Sequence, residues 1–105
     1  MSKARVTEEF PFGEDPVYKV AGKMFALIPL GEPLSISLKC DPKLVPILRE
    51  TYAAVTVAPY MSKTHWNRVR VDGTIADDEV LEMIDNSYAL VVKGLPKAVR
   101  DSLKP

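Results

Sequence analysis

The chain has 105 residues, one cysteine and equal numbers of acidic and basic side chains, 14 of each. That length supports one domain with one core and no metal or disulfide staple, and the lone Cys40 excludes an intramolecular disulfide or a paired-cysteine metal site. Zero net charge argues against indiscriminate binding to nucleic acid or membranes. The longest apolar run, residues 24–30, falls far short of the ~20 residues that cross a bilayer. The first ten residues, MSKARVTEEF, lack the apolar segment of a secretory signal, so a cytoplasmic protein without a membrane partner is expected.

Residues 1–16 are charged and then turn-rich at Pro11, Gly13 and Pro16, without a period of their own. They read as a mobile lead-in, with a short helical turn around residues 7–10, ahead of a single domain at residues 17–105. From Val17 the pattern is that of strands. VYKV and KMFALIP are separated by Ala21-Gly22, a two-residue hairpin connection in which Gly22 accepts positive φ. In LSISLKC the alternation places Leu34, Ile36 and Leu38 on one face and Ser35, Ser37 and Lys39 on the other, which completes a three-stranded meander. Cys40 falls on the apolar side and is expected to be a buried, inert thiol, with Asp41 raising its pKa.

Asp41 suits a helix N-cap and Pro42 a first helical position, so a helix is predicted over residues 41–53. Its buried stripe would be Leu44, Ile47, Leu48 and Tyr52, with a distorted first turn at Pro46. Residues 55–60 and 66–71 read as a second hairpin joined by the loop MSKT. Strand parity puts Val69 and Val71 on one face and Trp66, Arg68 and Arg70 on the other. His65 falls in phase with the valines and is expected to be tucked under the loop with a hydrogen bond. A helix follows from Ala76, with Asp77, Asp78 and Glu79 in its first turn and Val80, Leu81, Ile84 and Tyr88 on its apolar face. Gly94 and Pro96 stop it, and a short last helix is expected over residues 96–103.

The stretch PYMSKTHWNRVRVDG, residues 59–73, holds the only tryptophan, the only histidine and the tightest basic cluster, Lys63, Arg68 and Arg70. Charge is segregated around it. Residues 1–16 carry two basic and four acidic groups, residues 17–71 eight and three, and residues 72–105 four and seven. A basic middle with an exposed indole suits a face on which arginines hold phosphates while a base stacks on Trp66. The same residues also suit a tryptophan covered by arginine stems.

Catalysis finds no support in spacing, since one histidine and one cysteine propose neither a Cys-His nor a Ser-His-Asp arrangement. Neither an enzyme nor a cofactor is expected. The acids Asp77, Asp78, Glu79, Glu82 and Asp85 read as a solvated helix face, so no metal ligands are assigned.

The segments FPFGEDPVYKVAGKMFALI, LSISLKCDP, LRETY, THWNRV and SYALVVKGLP, in that order over residues 10–100, resemble the MmcQ/YjbR-like family. The resemblance implies an α+β, CyaY-like (frataxin-like) two-layer domain. Its antiparallel sheet of about five strands, in two hairpin or wing units, would pack against two to three helices. It also implies the DNA-binding label that such double-wing domains carry. By position, His65 and Trp66 match the family's His-Trp pair, Lys63 a basic position before it, and Asp41-Pro42 its helix start. Frataxin-like domains likewise display a tryptophan on the open sheet face and bind iron on acidic ridges of the first helix and strand. Members usually carry a helix ahead of the FPFG segment, for which this chain has too few residues, and many show Tyr-His-Met where this chain has Pro59-Tyr60-Met61.

The expected function is therefore modest nucleic-acid binding, to DNA or to a single strand, through a basic and aromatic sheet face. Lys63, Trp66, Arg68 and Arg70 are the main contacts, with Lys19, Lys23 and Lys39 flanking them. The alternatives are a non-enzymatic protein-interaction module, monomeric or homodimeric, and, more weakly, frataxin-like metal binding.

Overall fold

The computed structural model describes residues 5–59 and 61–103. The chain enters the sheet earlier than its periodicity suggests, because Val6–Phe12 form an edge strand, β1, rather than a lead-in with a helical turn. β1 pairs antiparallel with β2 (Asp15–Val20) from Val6↔Val20 to Phe12↔Asp15, with a bulge between Glu9 and Phe12. Residues 7–11 are exposed, so no apolar alternation marks them. What holds them is the backbone ladder together with cross-strand bonds from the Tyr18 hydroxyl to Glu8 (2.6 Å) and from Lys19 to Glu9 (3.1 Å). Pro11 is tolerated because an edge strand can forgo a donor.

The Ala21-Gly22 turn joins β2 to β3 (Lys23–Leu27), both turn residues having positive φ, 47° and 83°, as a two-residue hairpin connection with the right twist requires. β4 (Ser35–Lys39), β5 (Val55–Val57) and β6 (Trp66–Arg70) complete a six-stranded antiparallel sheet in the order β1-β2-β3-β4-β6-β5. β5 stops at Val57, short of the expected residue 60, and Tyr60 lies outside the described residues. The meander therefore has four strands, and the sheet one more than the sequence implied.

The first helix, α1 (Val45–Thr51), starts four residues later than expected. A helix begun at Asp41 would put Pro46 where a backbone donor is needed, whereas a start at Val45 places it in the first turn, which needs none. Asp41 instead organises a turn: its carboxylate accepts from the Lys43 N–H at 2.9 Å and its carbonyl from Leu44 and Val45. The shift rotates the buried stripe. Val45 is buried and Leu48 and Tyr52 pack against the core, while Leu44 and Ile47 are 46% and 52% exposed.

α2 (Asp77–Lys93) and α3 (Lys97–Ser102) fall close to the expected spans. α2 packs on β2, β3 and β4, and α1 on β5 and β6, so both lie on one side of the sheet. Between the layers lie Val20, Phe25, Ile36, Leu38, Val55, Val69, Val80 and Val91. The inward face of α2 runs through Val80, Met83, Ile84, Ser87, Tyr88 and Val91, and Leu81 is 57% exposed rather than core.

A serine on that face is fully buried for a specific reason. Tyr18↔Ala26 and Lys19↔Met24 leave Phe25 as an extra residue, a bulge in β3. The β3–β4 pairing then ends at Ala26↔Leu38, before a Phe25–Lys39 pair can form. Ser87 fills the break: its hydroxyl donates to the Phe25 carbonyl (2.6 Å) and accepts from the Lys39 N–H (2.9 Å). The displaced Phe25 ring meets Tyr88 edge to face at 5.4 Å.

Ser87→Ala leaves both backbone groups without a partner and is expected to lower unfolding stability by about 2–4 kcal/mol. Leu81→Ala, on the exposed face, should change it by less than about 0.5 kcal/mol. Urea denaturation of the two variants measures the difference.

Candidate nucleic-acid interface

The register assigns each side chain to a face. One row crosses all six strands on the side away from the helices: Glu9, Val17, Leu27, Ser37, Arg68 and Thr56. Trp66 lies on the same face, directly opposite Lys39, and Arg70 opposite Ser35. Lys19 shares this face through its pairing with Thr7 and Met24. The expected clustering of Trp66, Arg68, Arg70, Lys39 and Lys19 is thus the observed one. Val17 and Ser37 of this row are nonetheless each only 1% exposed, and Ser35 8%, so the middle of the face is closed to solvent.

The other two cations sit elsewhere. Lys23 pairs with the core-facing Val20 at the hairpin turn and so lies on the helix side of the sheet. Lys63 stands exposed in the loop before β6, where α1 holds its backbone.

The cations on the face differ in freedom. Lys19 is paired with Glu9 at 3.1 Å, a carboxylate that reaches this face because β1 is a strand. Arg70 is paired with Asp72 at 2.7 Å. Hydrogen bonds from the Thr74 hydroxyl (2.6 Å) and backbone N–H (3.0 Å), and then from Arg70, hold the Asp72 carboxyl well below the usual carboxylate range. Asp72 is therefore ionised at neutral pH and offsets the Arg70 charge. Among the described residues, Lys39 and Arg68 have no ion-pair partner.

The loop that delivers Trp66 is clamped by a residue that no sequence motif singles out. Arg49 of α1 donates to the Asn67 side chain (2.7 Å), to the Lys63 carbonyl (2.7 Å) and to the Trp66 carbonyl (3.1 Å). Asn67 is buried and reaches back to the Val45 carbonyl. A lone arginine late in a helix resembles a solvated charge, and only the tertiary fold reveals its partners. His65 is exposed rather than tucked under the loop, with Nδ1 3.2 Å from Ser62 Oγ, while its carbonyl accepts from the Cys40 N–H.

On the opposite side, a cleft of about 660 Å³ opens between α1 and α2 over Leu38 and Val69. Cys40 lines it and is partly buried; burial, and then the Asp41 charge, push its thiol pKa up, which keeps it in the unreactive form. Among the described residues no group of three or more His, Cys, Asp or Glu could hold a metal ion, and no helix is long and apolar enough to cross a membrane.

Arg49→Met is expected to speed hydrogen exchange of the amides at residues 61–66 and to cost about 1–3 kcal/mol, because Asn67 and two carbonyls lose a charged donor. Arg49→Lys should restore little, since an ammonium cannot serve three acceptors from a planar fork.

Known proteins resemble this chain in fold and sequence. The chain is 34% identical to the Deinococcus radiodurans protein DR2400, whose crystal structure superposes with a TM-score of 0.91 over 97% of this chain and 80% of that one. A Pseudomonas syringae protein of known structure matches with a TM-score of 0.69 at 25% identity, over 81% of this chain and 86% of its own. Two uncharacterized Escherichia coli proteins are each 33% identical: YjbR of strain K12, over 81% of this chain and 73% of its own length, and YbdF of strain O157:H7, over 91% and 80%. The YjbR family model matches residues 1–90, and with the shared α+β fold and these relatives it follows that the chain belongs to the YjbR family.

Proposed function

We propose that the open face of the sheet binds nucleic acid. The observation that carries this reading is the grouping of Trp66 with Lys39 across the strand and Arg68 two residues along, two cations that have no ion-pair partner among the described residues, on the face opposite α1 and α2. Arginine and lysine supply phosphate contacts, and the half-buried indole supplies a surface on which a base can stack. The scaffold suits the task because β6 is hydrogen-bonded on both flanks and its entry loop is clamped by Arg49. Binding is modest and salt-sensitive, because the chain carries no net charge and Glu9 and Asp72 neutralise part of the patch.

With Lys39, Arg68 and Lys63 each meeting one phosphate, log K should fall against log salt with a slope of about −2 to −3. Anisotropy of a labelled oligonucleotide over a series of salt concentrations measures it. A salt-independent signal, or none at low salt, removes the reading.

A second reading draws support from Leu44 and Ile47, two large apolar side chains exposed on α1. They suit contact with a second copy of the chain through the helical layer, leaving the sheet face free. Light scattering should then give a mass that rises with concentration in the unaltered chain and stays monomeric in Ile47→Asp.

A further inference from the structure

Resting on the nucleic-acid reading of this face, we infer that its ligand is a single strand, with a base stacked on Trp66, and not a duplex. The argument is one of shape. A duplex admits protein to its bases through a major groove about 12 Å wide, which accepts a helix or a free two-stranded ribbon. Trp66 is on neither. Its strand β6 is hydrogen-bonded to β5 on one side and to β4 on the other, and β4 continues into β3, β2 and β1. At the usual spacing of about 4.8 Å between strands, four further spacings, roughly 19 Å of continuous sheet, lie between β6 and the far edge. A surface of that breadth rests against the phosphate ridges of a duplex and cannot lower the indole to the base pairs. An unpaired strand has no such ridges, and its bases turn out to meet an aromatic side chain on a sheet.

The cations fit the same geometry. Lys39 is the direct cross-strand neighbour of Trp66, about 5 Å away at Cβ. Arg68 follows two residues along β6, a rise of about 7 Å. Arg68, half-buried, is itself flanked across the sheet by the short side chains of Ser37 and Thr56. Both charges therefore stand within one nucleotide or so of a stacked base, on two sides of it, as a backbone passing over the indole requires. Lys19 and Arg70, farther out, are already neutralised by Glu9 and Asp72.

Because Trp66 is the only tryptophan, its fluorescence reports the event directly. The full chain is titrated at low salt with an oligothymidylate and with a mixed-sequence duplex of the same length. The expected result is that the single strand quenches Trp66 and binds at least about tenfold more tightly, while the duplex binds weakly and leaves the emission unchanged. By anisotropy, Trp66→Ala should weaken single-strand binding roughly five- to 150-fold. Trp66→Phe keeps an aromatic plane and should recover most of that loss, which separates stacking from a folding defect. Arg68→Gln, at a partly exposed position, should weaken both ligands.

Duplex binding as tight as single-strand binding, or single-strand binding without quenching, overturns the inference and leaves the nucleic-acid reading in place. Failure of both ligands to bind removes the reading and the inference together.

Discussion

Ser87 joins the two layers at the point where the sheet would otherwise come apart. The bulge at Phe25 adds a residue to β3 that β4 cannot match, and the ladder opens between Phe25 and Lys39. A hydroxyl on α2 takes the place of the missing bond, donating to one strand and accepting from the other. Such a group, buried and satisfied on both sides, fixes position more strictly than apolar contact does, since each displacement lengthens a hydrogen bond in a low-dielectric interior. It sets how far α2 can slide over the sheet and holds the Lys39 backbone beside Trp66. Packing on one face and side-chain placement on the other thus share one constraint.

A second polar link does the same for the other half of the sheet. Arg49 and Asn67 tie α1 to the loop before β6 and to β6 itself. The two helices consequently act on the open face from behind, Ser87 through β4 and Arg49 through β6, and these are the strands that bring Lys39 and Trp66 together. Rigid support of this kind lowers the entropy that a ligand must overcome on binding, which favours a small face with few charges over a large flexible one.

The sequence made the centre of the fold legible and its margins much less so. Strand parity alone placed Trp66, Arg68 and Arg70 together, because two alternate arginines cannot both enter a core. Acids at its start and Gly94 at its end bounded α2. β1 carries no readable period because residues 7–11 are exposed on both faces, and its state depends on β2. Leu81 fits the apolar period of α2 yet is exposed, while Ser87 takes an inward position, because the requirement for a hydroxyl arises only from the bulge in β3. The charge of Lys23 suits the face, yet the two-residue turn pairs it with Val20 on the other side. Arg49 gave no signal at all, since its three acceptors lie 14 to 18 residues away in sequence.

Both edges of the sheet are guarded against the addition of a further strand. An unpaired strand edge invites another chain to add to the sheet unless it is short, charged or interrupted. β5 has three residues and Pro59 two positions beyond it, too little for a ladder to extend. β1 is longer, but it carries Glu8, Glu9 and Pro11 and is bulged between Glu9 and Phe12. Both edges are therefore closed to strand addition by different means. The helices occupy one side of the sheet, and on the other Trp66 stands beside Lys39 and Arg68, which have no ion-pair partner among the described residues.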